Sequence, residues 1–171
     1  FSPCFLFDCK YYIRKYVDVA EAGVNPLLHY LSIGHKEDRR PHPLFDTAYY
    51  KRVYSNALKV TALDPLSHFL TFGLAEDLDP NPYFDSRWYR TKYMKDQEFS
   101  SLAVEHYINV GEQLGYRPCK RFDPKVYRQL NRVALKEQSD GGTVLGYFLD
   151  SSYRTGIESG YYDTYDSAKD L

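Results

Sequence analysis

The chain has 171 residues, 43% hydrophobic and 26% charged, with 22 basic residues against 23 acidic ones and a net charge of −1. That composition excludes a disordered chain, and the balanced charge supplies no global field for nucleic acid or anionic lipid. Apolar runs of only a few residues exclude a membrane-spanning helix. The opening Phe1-Ser2-Pro3, with neither Met nor a signal-peptide pattern, is taken as part of something longer. Tyrosine is abundant, at 18 residues against one Trp. It suits a thin structure whose side chains have one buried and one wet end, or a binding surface.

Phe-Asp pairs recur at Phe7-Asp8, Phe45-Asp46, Phe84-Asp85 and Phe122-Asp123, at spacings of 38, 39 and 38, with a degenerate Tyr162-Asp163 a further 40 on. A fixed period of this length marks an array of supersecondary units. The predicted segments cover about 5–43, 44–82, 83–120 and 121–160, with an exit tail at 161–171.

Segment one sets the pattern. Asp8 predicts a helix N-cap whose carboxylate takes free first-turn amides. Phe7 then falls at N′ and Tyr12 at N4, the two positions of a hydrophobic staple. Tyr16 lies one turn further along the same face. A short element from Asp18 to Gly23 follows, capped by Asp18 and stopped by Gly23. A second helix starts at Asn25 with Pro26 at N1, where a missing amide does no harm. Leu27, Leu28, Tyr30 and Leu31 give it an apolar stripe. Gly34 is expected to end it as a left-handed C′ residue.

Segment two repeats these features with Tyr50, Tyr54, Asp64, Pro65 and Gly73, and segment three with Tyr89, Tyr93 and Gly111. Segment four keeps Asp123 and Tyr127, but its second block, Val144-Leu-Gly-Tyr-Phe-Leu149, has lost the Pro, His and Gly of the repeat. The expected fold is all-α: a short solenoid of about four helical hairpins with a period of 38–40, stacked because no hairpin buries its own faces.

His29, His68 and His106 fill one slot of the repeat. Spread along an array they cannot converge as a catalytic constellation. They are expected to bond backbone or a tyrosine hydroxyl of a neighbouring segment, while His35 and His42 are expected in solvent. The repeated Asp residues have no calcium-loop spacing, and no phosphate-binding or nucleophile-elbow motif occurs. Neither catalysis, cofactor nor metal is expected of this chain. Cys4, Cys9 and Cys119 are too few and too sparse for a disulfide scaffold, so three free thiols and a reducing compartment are expected. The candidate binding residues are Tyr11, Tyr49 and Trp88 at N3, where segment four has Val126. They pack against an adjacent segment or present an aromatic face to a sugar ring or partner.

The string Asp18-Val-Ala-Glu-Ala-Gly-Val-Asn-Pro-Leu-Leu-His-Tyr-Leu-Ser-Ile-Gly34, continued by Arg39-Arg-Pro-His-Pro-Leu-Phe-Asp46, resembles a bacterial repeat of the form FDxxYYxxxxPDVAxAGxxPLxHYLxxGxxEGRxPxPLFD. That repeat is attached to glycosyltransferases of capsule and O-antigen synthesis and occurs in some large secreted proteins. The likeness is close in segments one and two, partial in three and weak in four. Glu37-Asp and Glu76-Asp stand where the family has Glu-Gly. The resemblance implies a non-catalytic accessory module that docks a partner protein, a second copy or the glycan, with the nucleotide-sugar site outside these residues. The alternative is a carbohydrate-binding module in its own right. A cytoplasmic place, at the inner face of the cell membrane, goes with this context. The N-terminal face of segment one, with Phe7, Tyr11 and Tyr12, is expected to be open, apolar and prone to self-association.

Overall fold

A computed structural model describes residues 4–94, 102–132, 135 and 142–155, the last four as backbone alone. The expected exit tail and the end of segment four lie outside the described residues. The fold is all-α. Among the described residues, extended pairing is confined to isolated bridges at Cys4–Phe7, His42–Phe45 and Cys119–Phe122.

Internal contacts divide the chain into two bodies, Phe1–Pro82 and Tyr83–Leu171. In the first, α1 Cys9–Lys15, α2 Val17–Glu21 and α3 Pro26–His29 lead into a π-helical turn, Tyr30–Gly34. The order repeats as α4 Thr47–Val53, α5 Ser55–Thr61, α6 Pro65–His68 and the π turn Phe69–Gly73. In the second body, α7 Ser86–Tyr93 and α8 Ala103–His106 lead into the π turn Tyr107–Gly111 and α9 Glu112–Leu114. The helices α10 Pro124–Leu130 and α11 Val144–Thr155 follow.

Each segment starts as its local sequence dictates. The carboxylates of Asp8, Asp46 and Asp85 accept the amides of Tyr11, Tyr49 and Trp88 at 3.0, 2.9 and 2.8 Å. Asp123 accepts those of Lys125 and Val126 at 2.9 and 3.3 Å. Phe7 packs on Tyr12 with ring centroids 5.5 Å apart. The equivalent pairs stand at 5.3 Å (Phe45–Tyr50), 5.4 Å (Phe84–Tyr89) and 5.6 Å (Phe122–Tyr127). All of these rings are buried. Burying one such ring is worth about 1.5–3 kcal/mol, so the staple is the centre of each segment.

The first helix stops without proline or glycine. Tyr16 and Tyr54 leave helical geometry at φ −118° and −108°. Their hydroxyls accept the amides of Arg40 at 2.7 Å and Asp79 at 2.9 Å, and Tyr93 accepts that of Arg117 at 3.2 Å. These bonds hold the outgoing linker against the first helix. A second tie lies beside them: the amides of Asp8, Asp46 and Asp85 donate to the carbonyls of Pro41, Pro80 and Pro118, each at 3.0 Å. Each of the first three segments is thereby fastened start to end.

Three expectations are corrected. Tyr16, not Asp18, precedes α2, because the break at Tyr16 starts the helix earlier. Asp18 sits in the first turn, where acid suits the helix dipole, and pairs with Arg39 at 2.8 Å. In the second helix Tyr30 is fully buried, but Leu28 is 63% exposed and Leu31 38%. Leu28 lies two positions from Tyr30, about 200° round the helix, so the stripe is core only in part. Gly34, Gly73 and Gly111 are not left-handed. The chain runs four residues further, to Asp38, Asp77 and Gly115, which take φ 57°, 52° and 70°. The next amides, of Arg39, Leu78 and Tyr116, donate back to Gly34, Gly73 and Gly111 at 2.9, 2.8 and 2.8 Å. That is the six-to-one bond of a Schellman ending.

Within the first body, α4 is laid on the end of segment one. The Thr47 hydroxyl donates to the Arg39 carbonyl at 2.7 Å and lies 3.3 Å from that of Tyr30. Lys51 reaches the carbonyls of His35 and Lys36 at 3.3 Å and pairs with Asp38 at 2.6 Å. A cation at a helix C-terminus meets its unsatisfied carbonyls. Phe7, Tyr11 and Tyr12, expected at an open N-terminal face, are instead buried, at 0%, 6% and 0% exposure. The staple turns them inward.

Candidate functional site

The side chains of greatest chemical interest meet at the π turns. The Tyr12 hydroxyl lies 3.1 Å from His29 Nδ1, and Tyr50–His68 and Tyr89–His106 repeat the bond at 2.8 Å. The histidine thus bonds the tyrosine of its own segment, not of a neighbour. The reason is that the first and second helices of one segment lie side by side. The glycine completes the group. A Cβ on Gly34 would fall 2.2 Å from the Tyr12 hydroxyl, and one on Gly111 would fall 2.0 Å from that of Tyr89. At Gly73 it would meet Phe69 at 2.6 Å and the Tyr50 hydroxyl at 2.8 Å. Glycine is required there by close approach of a phenol, not by backbone handedness.

Burial holds the Tyr12, Tyr50 and Tyr89 phenols well above the usual tyrosine range and lowers the His106 imidazole. These phenols stay neutral at ordinary pH. Tyr50 and His68, at 0% and 3% exposure, offer no open face to a substrate. What this bond does is fasten two helices.

His42 departs from the solvated linker expected of it. It is half-buried, its Nδ1 accepts the Leu44 amide at 3.1 Å, and burial pushes the imidazole down to about 4. The turn that closes the bridge to Phe45 folds over this position. Cys4 and Cys119 hold the same slot in their own linkers, and burial pushes the Cys119 thiol up to about 11. Cys4, Cys9 and Cys119 are free thiols. His35 is half-buried, edge-on to Tyr30 at 6.2 Å.

Of the candidate aromatic residues, Tyr11 is buried, while Tyr49 and Trp88 are half-buried. Tyr11 and Tyr49 belong to the first body, Trp88 to the second. Each carries a cation from the next turn: Lys15 over Tyr11 at 5.2 Å, Arg52 over Tyr49 at 5.7 Å and Lys92 over Trp88 at 4.6 Å. Segment three adds more rings. Trp88 meets Tyr93 edge-on at 5.9 Å, and Tyr93 stacks flat on Tyr116 at 4.1 Å. In segment one the Tyr116 position is Arg39, whose guanidinium lies over Tyr16 at 4.9 Å. Tyr116 falls outside the recurring aromatic slots, so periodicity did not single it out.

Glu112 was also missed. It is buried at 9% exposure, and its carboxylate gathers the Tyr107 hydroxyl at 2.5 Å, the Val144 amide at 2.9 Å and Arg128 at 3.2 Å. Tyr107 is the counterpart of Tyr30, but the residue matching Thr47 is Pro124, which has no hydroxyl to offer. The carboxylate takes that place.

Among the described residues no three His, Cys, Asp or Glu side chains converge as a metal site, and no helix is long and apolar enough to cross a membrane. No family model, curated protein or solved structure matches the chain.

Proposed function

We propose that this chain is a non-catalytic interaction module: a short helical solenoid serving a bacterial surface-polysaccharide glycosyltransferase by docking a partner protein, another copy or the glycan. The observation that carries this reading is the recurring tyrosine, histidine and glycine group. Three times over, the side chains best suited to chemistry are engaged with one another inside a segment, and the aspartates are engaged by their own helices. What varies from segment to segment is the aromatic and cationic surface. The Thr47 and Lys51 ties support stacking of segments, as a solenoid needs. The likeness to glycosyltransferase-associated repeats supplies the cellular context, at the cytoplasmic face of the membrane. A carbohydrate-binding role in its own right is favoured by one feature, the half-buried Trp88 with Lys92, Tyr93 and Tyr116 around it.

Sedimentation velocity at rising concentration, followed by titration with neutral and acidic surface polysaccharides, tests this. Trp88, the single tryptophan, reports binding by its fluorescence. Self-association or a glycan-dependent change is the expected result. A strict monomer indifferent to every glycan would remove the second copy and the glycan as partners and leave the partner protein, whereas turnover of a sugar nucleotide would overturn the reading.

A further inference from the structure

Segment four abandons the arrangement of the other three, and a cavity accompanies the change. Tyr147 stands in the histidine slot, with its ring centroid 6.4 Å from that of Tyr127. The Tyr127 hydroxyl is hydrogen-bonded to Ser151. Beside Tyr147 opens a cavity of about 500 Å³, bordered by Arg128, Arg132, Leu135, Thr143 and Val144. Its size falls in the usual range for small-ligand sites, about 300–1,000 Å³.

The charge of this cavity is one-sided. Two guanidinium groups border it, and among the described residues no carboxylate does. Glu112 stands behind and engages one nitrogen of Arg128, through an oxygen that also receives the Val144 amide. Arg128 keeps half of its side chain in solvent, at 51% exposure, and Arg132 is exposed. Arg128 lies in α10 and Arg132 just past its C-cap, Asn131, and both border the cavity. The sequence from Arg117 to Arg132 is basic as well: Arg117, Lys120, Arg121, Lys125, Arg128 and Arg132 stand against one acid, Asp123, whose carboxylate is bound to its own helix. A concave site bordered by charge of one sign concentrates counter-charge, and paired guanidinium groups match the planar geometry of carboxylate and phosphate.

We propose that this cavity binds an acidic sugar, a carboxylate or phosphate carried on a polyol ring, with Arg128 and Arg132 on the anion and Tyr147 against the ring. The proposal deepens the carbohydrate reading above and rests on it.

Isothermal titration of the whole chain with glucuronic acid, glucose 1-phosphate, glucose and inorganic phosphate, at low and high salt, is the test. Both acidic sugars bind, glucose does not, and salt weakens the binding. Which acid binds better identifies the source of the anion. Arg132→Gln, at an exposed position, weakens binding at least about tenfold and leaves the melting temperature unchanged. Failure of both acidic sugars to bind overturns the proposal. So does binding that Arg132→Gln does not weaken, or inorganic phosphate binding as tightly as the sugars. A neutral glycan that binds equally to wild type and Arg132→Gln upholds the carbohydrate reading while removing this site from it.

Discussion

Segments one and four begin alike and end differently. Both open on an aspartate cap and a Phe–Tyr pair, at 5.5 Å in one and 5.6 Å in the other. Segment one then closes Tyr12 onto His29 and Gly34. Segment four instead sets Tyr147 beside Tyr127 and continues through the 12-residue helix α11. The start depends on residues within one helical turn, so each copy can satisfy it alone. The end depends on three residues drawn from distant positions that must match. Once one is replaced, the other two lose their partner, and the segment adopts another solution.

The sharpest way to break the comparison is to spoil the matched end. Gly34→Ala places a Cβ 2.2 Å from the Tyr12 hydroxyl, an overpacking expected to destabilise by about 1–3 kcal/mol. Adding Tyr12→Phe removes the oxygen, and the next ring atom stands at 3.5 Å. Urea denaturation should find the double variant less damaged than the sum of the two single ones. Strict additivity would show that the phenol does not set the glycine.

The linkers offer a second contrast, one that pH reveals. His42 stands in the linker that closes segment one, and Cys119 in the same slot of the linker that closes segment three. The His42 pKa of about 4 lies below its unfolded value of about 6.5, so the unfolded chain takes up the proton first as pH falls. The contribution is fully present above about pH 6.5 and is lost as pH falls toward about 4. Allowing for partial exposure, the loss is about 1–2 kcal/mol. His42→Asn, which installs the residue held by Asn81 in the next linker, should flatten this part of the stability–pH profile. An unchanged slope would assign the acid sensitivity elsewhere.

The smallest effect probes what the two segments share. Asp46→Ala and Asp123→Ala should each destabilise by about 0.5–2 kcal/mol, the loss of a helix N-cap. EDTA or calcium should move neither wild-type nor variant melting temperature. A metal-dependent shift lost in either variant would replace capping with ligation.

The staple and the caps were legible because they are short-range rules with fixed offsets: Phe7 to Tyr12 and Asp8 to Tyr11 need no knowledge of the rest of the chain. The caps at Asn25 and Asp64 were legible for the same reason. The role of Gly34 was not, because handedness is the commonest reason for a glycine near a helix end, and only the approach of Tyr12 shows a different one. Asp38 and Asp77 gave no sign of left-handed geometry, since aspartate serves as often in a cap or an ion pair. Glu112 was hidden by having no counterpart: the same position is His35 in segment one and Leu74 in segment two. For Tyr11, Tyr49 and Trp88 the N3 position was legible, but not the burial of Tyr11 or the cations lying over the three rings.

The bonds from Asp8 to Pro41, Asp46 to Pro80 and Asp85 to Pro118 bear on how such a chain changes through evolution. Each joins the first residues of a segment to its last, so the two ends of about 38 residues meet in space. Recombination that duplicates or deletes one whole period leaves every such bond within its own copy and disturbs only one junction. An insertion of any other length falls between an aspartate and its proline and has to be taken up by the loops inside that segment, as the one extra residue of segment two is without loss of its bond. Whole periods are thus the steps of length that ask nothing of the interior of a segment.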